Sequence, residues 1–256
     1  MRYSDRTVND KNPTKRFLQQ NRLIHSYSVL SRFFEKNREI KILDFGGGSG
    51  ELCKILSVEF PNAKICMYEP SLEKRQEALE NLRGIEPEIN LIGDFNEITS
   101  NESFDLIFCL EVMEHMPESQ IVIELERISK SLKNGGYSVF GVPNEIYISG
   151  MIRGLFRLYR RLTLKDEFIN HGYTEFDANL KNIVMATIGN PPSVRPVQVS
   201  SFGTPCHPGH MGFDYRSFEN LLTHFFSIDK KYGSPVLNLP ILLNTEAYFL
   251  CKKLPD

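Results

Sequence analysis

Residues 42–52 read ILDFGGGSGEL, a short apolar run that enters four glycines and leaves as an amphipathic segment. A strand, a tight turn and a helix in that order put backbone N–H groups and a positive helix end at the edge of a sheet. Glycine is required where a side chain would hold a ligand off the backbone or where φ must be positive. The spacing narrows the ligand. A dinucleotide fingerprint counted from Gly46 or from Gly48 would put its last small residue on Glu51 or on Cys53, neither of which suits close helix packing on a pyrophosphate. A P-loop needs Gly-Lys-Ser/Thr where Glu51-Leu52 stands. What remains is GxGxG, Gly46 to Gly50, preceded by Asp44. An acidic residue there repels a phosphate and suits a ligand that carries an amine. Glu69 closes the next apolar run, KICMYE, where a carboxylate can accept both hydroxyls of a ribose. Asp94-Phe95 follows the third run, where Asp can accept from an exocyclic amine and Phe can pack on a purine face. The plain alternatives are a tight turn that binds nothing and a solvated Glu at a strand end.

Of six candidate histidines, His25, His115, His171, His207, His210 and His224, the first and last lie in helical patterns and read as packing residues. His115 follows the fourth apolar run in EVMEH, and His207 and His210 share the stiff loop CHPGH (206–210). Histidine is the general base expected near neutral pH, so His115, His207 and His210 are the catalytic candidates; loop structure and packing are the competing roles. No metal site is expected, because CHPGH lacks a third ligand at a recognisable spacing.

The elements that must position these residues alternate. Strands are expected at 40–45, 64–69, 89–92, 104–110 and 137–142, with helices at 51–59, 72–83 and 118–132 between them. FDLIFCL (104–110) is apolar enough for a strand covered on both faces. Asn134-Gly135-Gly136 reads as a helix C-cap. A helix over 13–37 opens the chain at Pro13, and a helix at 215–226 with strands at 227–232 and 245–252 closes it. Seven strands and crossover helices predict a Rossmann-like α/β fold, a mostly parallel sheet with a C-terminal antiparallel hairpin. The expected divisions are a helical arm (1–38), a ligand-binding core (39–142), an inserted cap facing the substrate (143–212) and the completion of the sheet (213–256).

The cap opens with IYISGMIRGLFRLYRRLTLK (146–165). Ile148, Ile152, Leu155, Phe156, Tyr159 and Leu162 share one face, and Arg153, Arg157, Arg160, Arg161 and Lys165 crowd the rest. Three roles are open: a helix packed on the domain with its basic side in solvent, a lid over an anionic substrate hinged at Gly150 and Gly154, and a membrane-surface anchor. Residues 170–212 read as loop, and Lys15, Arg16 and Arg22 of the arm are expected to close the same side.

The chain has 256 residues, with 30 Lys+Arg against 32 Asp+Glu and 41% apolar residues, enough for a sizeable core. A net charge of −2 argues against a general nucleic-acid partner. Five cysteines without a CxxC pair suit a reducing compartment. No stretch is apolar enough to span a bilayer, and no apolar core follows the basic N-terminus, so a cytoplasmic protein without a secretory signal is expected.

Taken together, ILDFGGGSG, MYEPS, GDF, FDLIFCLEVMEHMPE and LKNGGYSVFGVPN resemble, in order and spacing, the motifs of class I S-adenosylmethionine-dependent methyltransferases, and the fourth resembles the branch with the ubiquinone-biosynthesis O-methyltransferases. The likeness covers about 40–143, with Asn134 where the family commonly has Pro and Gly47 where many members have Cys or Ala. It implies that Asp44, Gly46, Gly47 and Gly48 line the methionine end of the cofactor, that Glu69 with Pro70 holds the ribose, and that Asp94 and Phe95 hold the adenine. It further implies that Leu110 and Glu111 lie beside the sulfonium and that His115 lies near the acceptor. A DPPY or NPPY motif after the fourth strand would mark methylation of a base amine. CLEV (109–112) stands there instead, and the Asn-Pro-Pro at 190–192 is loop punctuation. The expected reaction is methylation of oxygen on a small polar, sugar-derived or lipid- or phosphate-linked acceptor. The rival functions are a catalytically silent scaffold that binds the same cofactor and a nicotinamide-dependent oxidoreductase.

Overall fold

The computed structural model describes residues 13–30, 33–85, 88–98, 103–164 and 173–254; His171, Lys165 and the side chain of Lys15 lie outside the described residues. Five strands come from the alternating half of the chain: β1 (Lys41–Phe45), β2 (Lys64–Tyr68), β3 (Asn90–Ile92), β4 (Phe104–Leu110) and β5 (Leu132–Pro143). The C-terminal β8 (Phe226–Ser234) and β9 (Glu246–Lys253) complete one seven-stranded sheet of order β3-β2-β1-β4-β5-β9-β8. The first five strands run parallel, and β9 lies antiparallel between β5 and β8. This is the predicted Rossmann-like sheet with its C-terminal hairpin.

Strand alternation divides the core into two faces. Leu43, Phe45, Ile107, Cys109, Phe140 and Phe249 pack with α4 (Glu118–Ser131) and α7 (Tyr215–Leu222). Ile42, Leu106, Phe108 and Tyr248 face the other way, toward Leu52 and Leu56 of α2 (Glu51–Glu59) and Ala78 of α3 (Leu72–Asn81). The helix α1 (Pro13–Ser28) docks on that second face. There Tyr248 Oη donates to Arg22 O (2.8 Å) and Tyr232 Oη to His25 O (3.1 Å). Both tyrosines thereby satisfy polar tips that burial would otherwise strand. His25 is a packing residue, as expected, with Nδ1 at 2.9 Å from Ser234 Oγ.

Four expectations need correction. First, α1 stops at Ser28, because Leu30 and Phe34 turn into the core. Second, Asn134-Gly135-Gly136 does not cap α4, which ends at Ser131. Those residues form a bulged entry to β5, with Gly135 at φ 78° and the register with β4 shifted between Phe104 and Leu106. Third, the stretch read as loop holds a helix, α6 (Leu180–Thr187), and a small hairpin of β6 (Gln198–Val199) and β7 (Pro205–Cys206). The side chain of Asn179 caps α6 by accepting from Lys181 N and Asn182 N.

Fourth, of the three roles open for the cap helix α5 (Tyr147–Thr163), the one that packs its apolar face on the domain with the basic side in solvent is not adopted. Arg157 makes a two-pronged pair with buried Glu145, both contacts at 2.7 Å, and its side chain is 4% exposed. Arg153 reaches Glu145 (3.1 Å) and Glu246 (2.7 Å). Buried carboxylates demand charge partners, and these two arginines supply them. The apolar row turns outward instead: Ile152 is 59% exposed, Phe156 50% and Leu162 70%. Gly150 and Gly154 are seats of close packing. A Cβ on Gly150 would fall 2.3 Å from Glu145 O, and one on Gly154 would fall 2.7 Å from Ile183 of α6. No helix of the described residues is long and apolar enough to cross a membrane.

Candidate active site

At the C-terminal edge of the parallel strands lies a cavity of about 590 Å³, in the range of small-molecule sites. Its wall includes Asp44, Gly46, Gly47, Gly48, Glu69, Pro70, Leu110, Glu111, His115 and His207. The strand ends thus bring together most of the residues singled out from the sequence.

The glycine turn is tied down by its own neighbours. The N–H groups of Gly46 and Gly47 both donate to Tyr68 O, at 2.7 and 3.1 Å. Gly48 N–H donates to Glu69 Oε2 (3.0 Å), and Ser71 N–H to Glu69 Oε1 (2.8 Å). Three of the turn's amides are therefore spent inside the protein, and two carboxylates face the cavity in their place. This is no phosphate cradle. Gly46 and Gly48 adopt left-handed φ of 78° and 59°. A Cβ on Gly46 would also lie 2.5 Å from Val112 of the loop after β4, so glycine sets the approach of the two loops. Asp44 is buried and accepts from the Cys53 thiol at 3.3 Å. Burial, with Glu69 nearby, raises its carboxyl to about 7 against the thiol's opposing bond. A buried carboxyl at that value is poised to ionise when a cation arrives.

Chain reversal after β4 places Glu111 at φ 56°, with its carboxylate 2.7 Å from Arg22 of α1. Arg22 and Leu23 also line the cavity; of the three basic residues expected to close this side, Arg22 does so, Arg16 is not on the wall, and the side chain of Lys15 lies outside the described residues. A short 3-10 helix, Met113–His115, follows. His207 N–H donates to His115 O (2.7 Å), and His115 Nδ1 bonds His207 O (3.1 Å). His210 Nε2 meets His115 Nε2 at 3.2 Å. Arg195 fastens this assembly by donating to Glu114 O (2.8 Å), Gly209 O (2.6 Å) and Met211 O (3.2 Å). Burial lowers the pKa of all three imidazoles, that of His210 furthest, so they are neutral at pH 7. Burial pushes the Glu114 and Glu246 carboxyls well up, helped by the charge of Glu111.

Three predicted residues are not on the wall. His210 stands behind His115. Asp94 is exposed and caps its own turn by accepting from Asn96 N (2.9 Å). Phe95 packs edge-on against Phe45 and Tyr68, with ring centroids 5.6 and 5.4 Å away. The wall there belongs to Phe45 and Tyr68 themselves, with Gln120, Glu124 and Arg127 of α4. Sequence reasoning also missed Gln198, Ser200, Phe202 and Thr204, which the β6–β7 hairpin lays over the cavity, and Glu114, the third polar group beside His115 and His210. The glutamate was visible in EVMEH, but nothing in the sequence set it beside His210.

The model of a methyltransferase domain family matches residues 16–175. The chain belongs to this methyltransferase domain family, and the resemblance to S-adenosylmethionine-dependent methyltransferases stands. One relative, the ubiquinone biosynthesis O-methyltransferase of Vibrio atlanticus, is 32% identical over 111 residues, 43% of this chain. The match spans 46% of that relative, less than half its length. Solved structures share the fold at low identity. The N-methyltransferase NodS from Bradyrhizobium japonicum, bound to S-adenosyl-L-homocysteine, superposes with a TM-score of 0.53 at 15% identity, covering 96% of this chain and 90% of that one. An S-adenosylmethionine-dependent methyltransferase from Clostridium acetobutylicum gives 0.57 at 15% identity, over 98% and 96%. The 1,6-didemethyltoxoflavin-N1-methyltransferase of Burkholderia thailandensis, with its substrate and S-adenosylhomocysteine, gives 0.56 at 11%, over 99% and 84%.

Proposed function

We propose that the protein is an S-adenosylmethionine-dependent methyltransferase that acts on a hydroxyl of a small polar, sugar-derived or lipid- or phosphate-linked acceptor. The observation that carries this reading is a single cavity whose wall holds the Asp44–Gly48 turn and Glu69 together with the imidazoles of His115 and His207. Bound S-adenosylmethionine supplies a methyl group already activated by positive sulfur. The chain's own work is alignment, exclusion of water and removal of one proton. Asp44 receives the amine, and Gly46, Gly47 and Gly48 let that end come close. Glu69 holds the ribose, with Pro70 beside it, and Leu110 and Glu111 stand beside the sulfur and its chain. The adenine end is assigned to Phe95, which backs Phe45 and Tyr68 from one layer outside the wall, and to Asp94, which caps the adjoining turn.

His207 is the base this reading favours. Its Nδ1 lies 2.7 Å from Pro196 O, and a carbonyl only accepts, so the proton sits on Nδ1 and Nε2 keeps its lone pair. His115 spends Nδ1 on His207 O and Nε2 on His210. As the acceptor oxygen bonds to the methyl carbon, the carbon–sulfur bond breaks and the hydroxyl proton passes to His207 Nε2. The test is a turnover screen: purified protein, the cofactor and panels of hydroxylated and aminated acceptors, with S-adenosylhomocysteine and methylated product measured by mass spectrometry. Methyl transfer to hydroxyls supports the assignment. Transfer only to amines refutes the oxygen acceptor, and no product on any panel counts against an enzyme.

Cofactor binding should be proton-linked. A cation beside Asp44 favours its ionised form, so the free pKa of about 7 falls on binding and a proton is released. Affinity for S-adenosylmethionine is expected to weaken about tenfold between pH 8 and pH 6, because the free carboxyl is then mostly protonated. Calorimetry in buffers of different ionisation enthalpy reads that proton directly.

The outward face of α5 supports a second contact, with an anionic membrane surface. Ile152, Leu155, Phe156, Tyr159 and Leu162 form an apolar row beside Arg160 and Arg161, the composition of a helix that lies in a bilayer interface. Co-sedimentation with phosphatidylglycerol vesicles checks it. Phe156→Glu together with Leu162→Glu should lose most of the bound fraction, and equal binding of both proteins rejects the contact.

A further inference from the structure

We infer that Glu114, His115 and His210 form a binding site for one divalent transition-metal ion at the back of the cavity. Three donor atoms define it. His115 Nε2 and His210 Nε2 are 3.2 Å apart, and each lies 3.8 Å from the same oxygen, Glu114 Oε1. The in-plane point equidistant from the three atoms lies about 2.1 Å from each, the usual zinc–ligand bond length; a tetrahedral ion sits off that plane, so the two 3.8 Å edges shorten by a few tenths of an ångström to seat it. Two imidazoles and one carboxylate, with a position left for water or substrate, are the ligand set of catalytic zinc sites.

A second observation points to a cation independently of that triangle. The Glu114 side chain is wholly buried, and no side chain among the described residues donates a hydrogen bond to either carboxylate oxygen. A buried carboxyl whose oxygens find no hydrogen-bond donor is costly to keep, ionised or not. An ion seated among these ligands relieves that cost.

The surroundings are those of a supported site. His115 Nδ1 is held by His207 O (3.1 Å), which fixes the proton there and turns the Nε2 lone pair inward. His210 Nδ1 faces buried Glu145 Oε1 at 3.8 Å. When a metal replaces the proton shared between the two Nε2 atoms, His210 carries its proton on Nδ1, toward that carboxylate. Carboxylate and carbonyl partners of this kind orient metal-bound imidazoles. Arg195, by bonding Glu114 O and Gly209 O, holds the two chain segments that supply the ligands together.

Of the three ligands only His115 lines the cavity, with its Nε2 turned away toward His210. The ion would therefore act on the acceptor through that ring, holding His115 in place beside His207, which would take the proton. This use of the ion rests on the O-methylation reading above; occupancy of the site does not. The experiment therefore measures occupancy without cofactor or acceptor. The full chain is stripped with a chelator and titrated with Zn2+ by calorimetry, then with Co2+ by visible absorption. One ion per chain is expected, with the absorption of four-coordinate cobalt and no thiolate charge-transfer band. Glu114→Gln and His210→Ala should each weaken binding about 100-fold or more while S-adenosylhomocysteine affinity stays within a few-fold, which shows that the variants are folded. No stoichiometric binding, unchanged affinity in both folded variants, or a thiolate band that assigns the metal to the free cysteines would overturn the site.

Discussion

Glu69→Gln is expected to weaken S-adenosylhomocysteine binding at least about 100-fold. The carboxylate already accepts Gly48 N–H on one oxygen and Ser71 N–H on the other. Four acceptor positions on a carboxylate leave two for the ribose hydroxyls. Glutamine turns one of those oxygens into a donor that faces a backbone N–H. Two hydrogen bonds to a charged acceptor, at about 1.5–3 kcal/mol each, account for that loss. Titration calorimetry measures it, and the unfolding transition of the ligand-free variant separates lost binding from lost folding. A dissociation constant within about threefold of the parent would remove Glu69 from the ribose site.

The second large effect belongs to the proton. His207→Ala should lower kcat by a factor of about 100 to 10,000, the usual contribution of a positioned base, while cofactor affinity stays near the parent value. The pH profile gives the sharper reading. Burial lowers the His207 pKa, so the imidazole is a competent base at neutral pH, and the rate should fall only as the medium is acidified through a value below the usual 6.5. The variant should lose that limb. If the limb survives in His207→Ala, the base is another group; if kcat is unchanged, no base is needed at that position. Both measurements use the acceptor found in the turnover screen.

What the sequence disclosed is local. The turn, Glu69 and the buried β4 were legible because each rests on neighbours within a strand–turn–helix unit, where period, glycine and chain order leave few solutions. The orientation of α5 was hidden because its decisive partners are remote: Arg153 reaches Glu246, 93 residues away. Helical periodicity found the apolar row and the arginine row, but burial of Glu145 decided which row faces inward. The helix α6 was masked by short length and by Asn, Thr and Gly around it. Asp94 matched a spacing, yet its side chain is used by its own turn, a contact no alternation pattern reveals. Glu114 and His210 lie on segments joined only through the fold, so their approach had no sequence signal beyond the residue types.

The orientation of α5 bears on the acceptor. A lid over an anionic acceptor was one of three roles open for this helix, and two of its arginines, Arg153 and Arg157, are engaged with Glu145 and Glu246. The basic residues on the cavity wall are Arg22, Lys74 and Arg127, of which Arg22 pairs with Glu111 and Arg127 with Glu124.

A crystal structure of the chain with S-adenosylhomocysteine tests the central claim most directly. It should show the ribose hydroxyls on Glu69, the amine beside Asp44 and the sulfur turned toward His115 and His207. A ligand bound outside this cavity, or seated in it without contact to Glu69 and Asp44, would contradict the account.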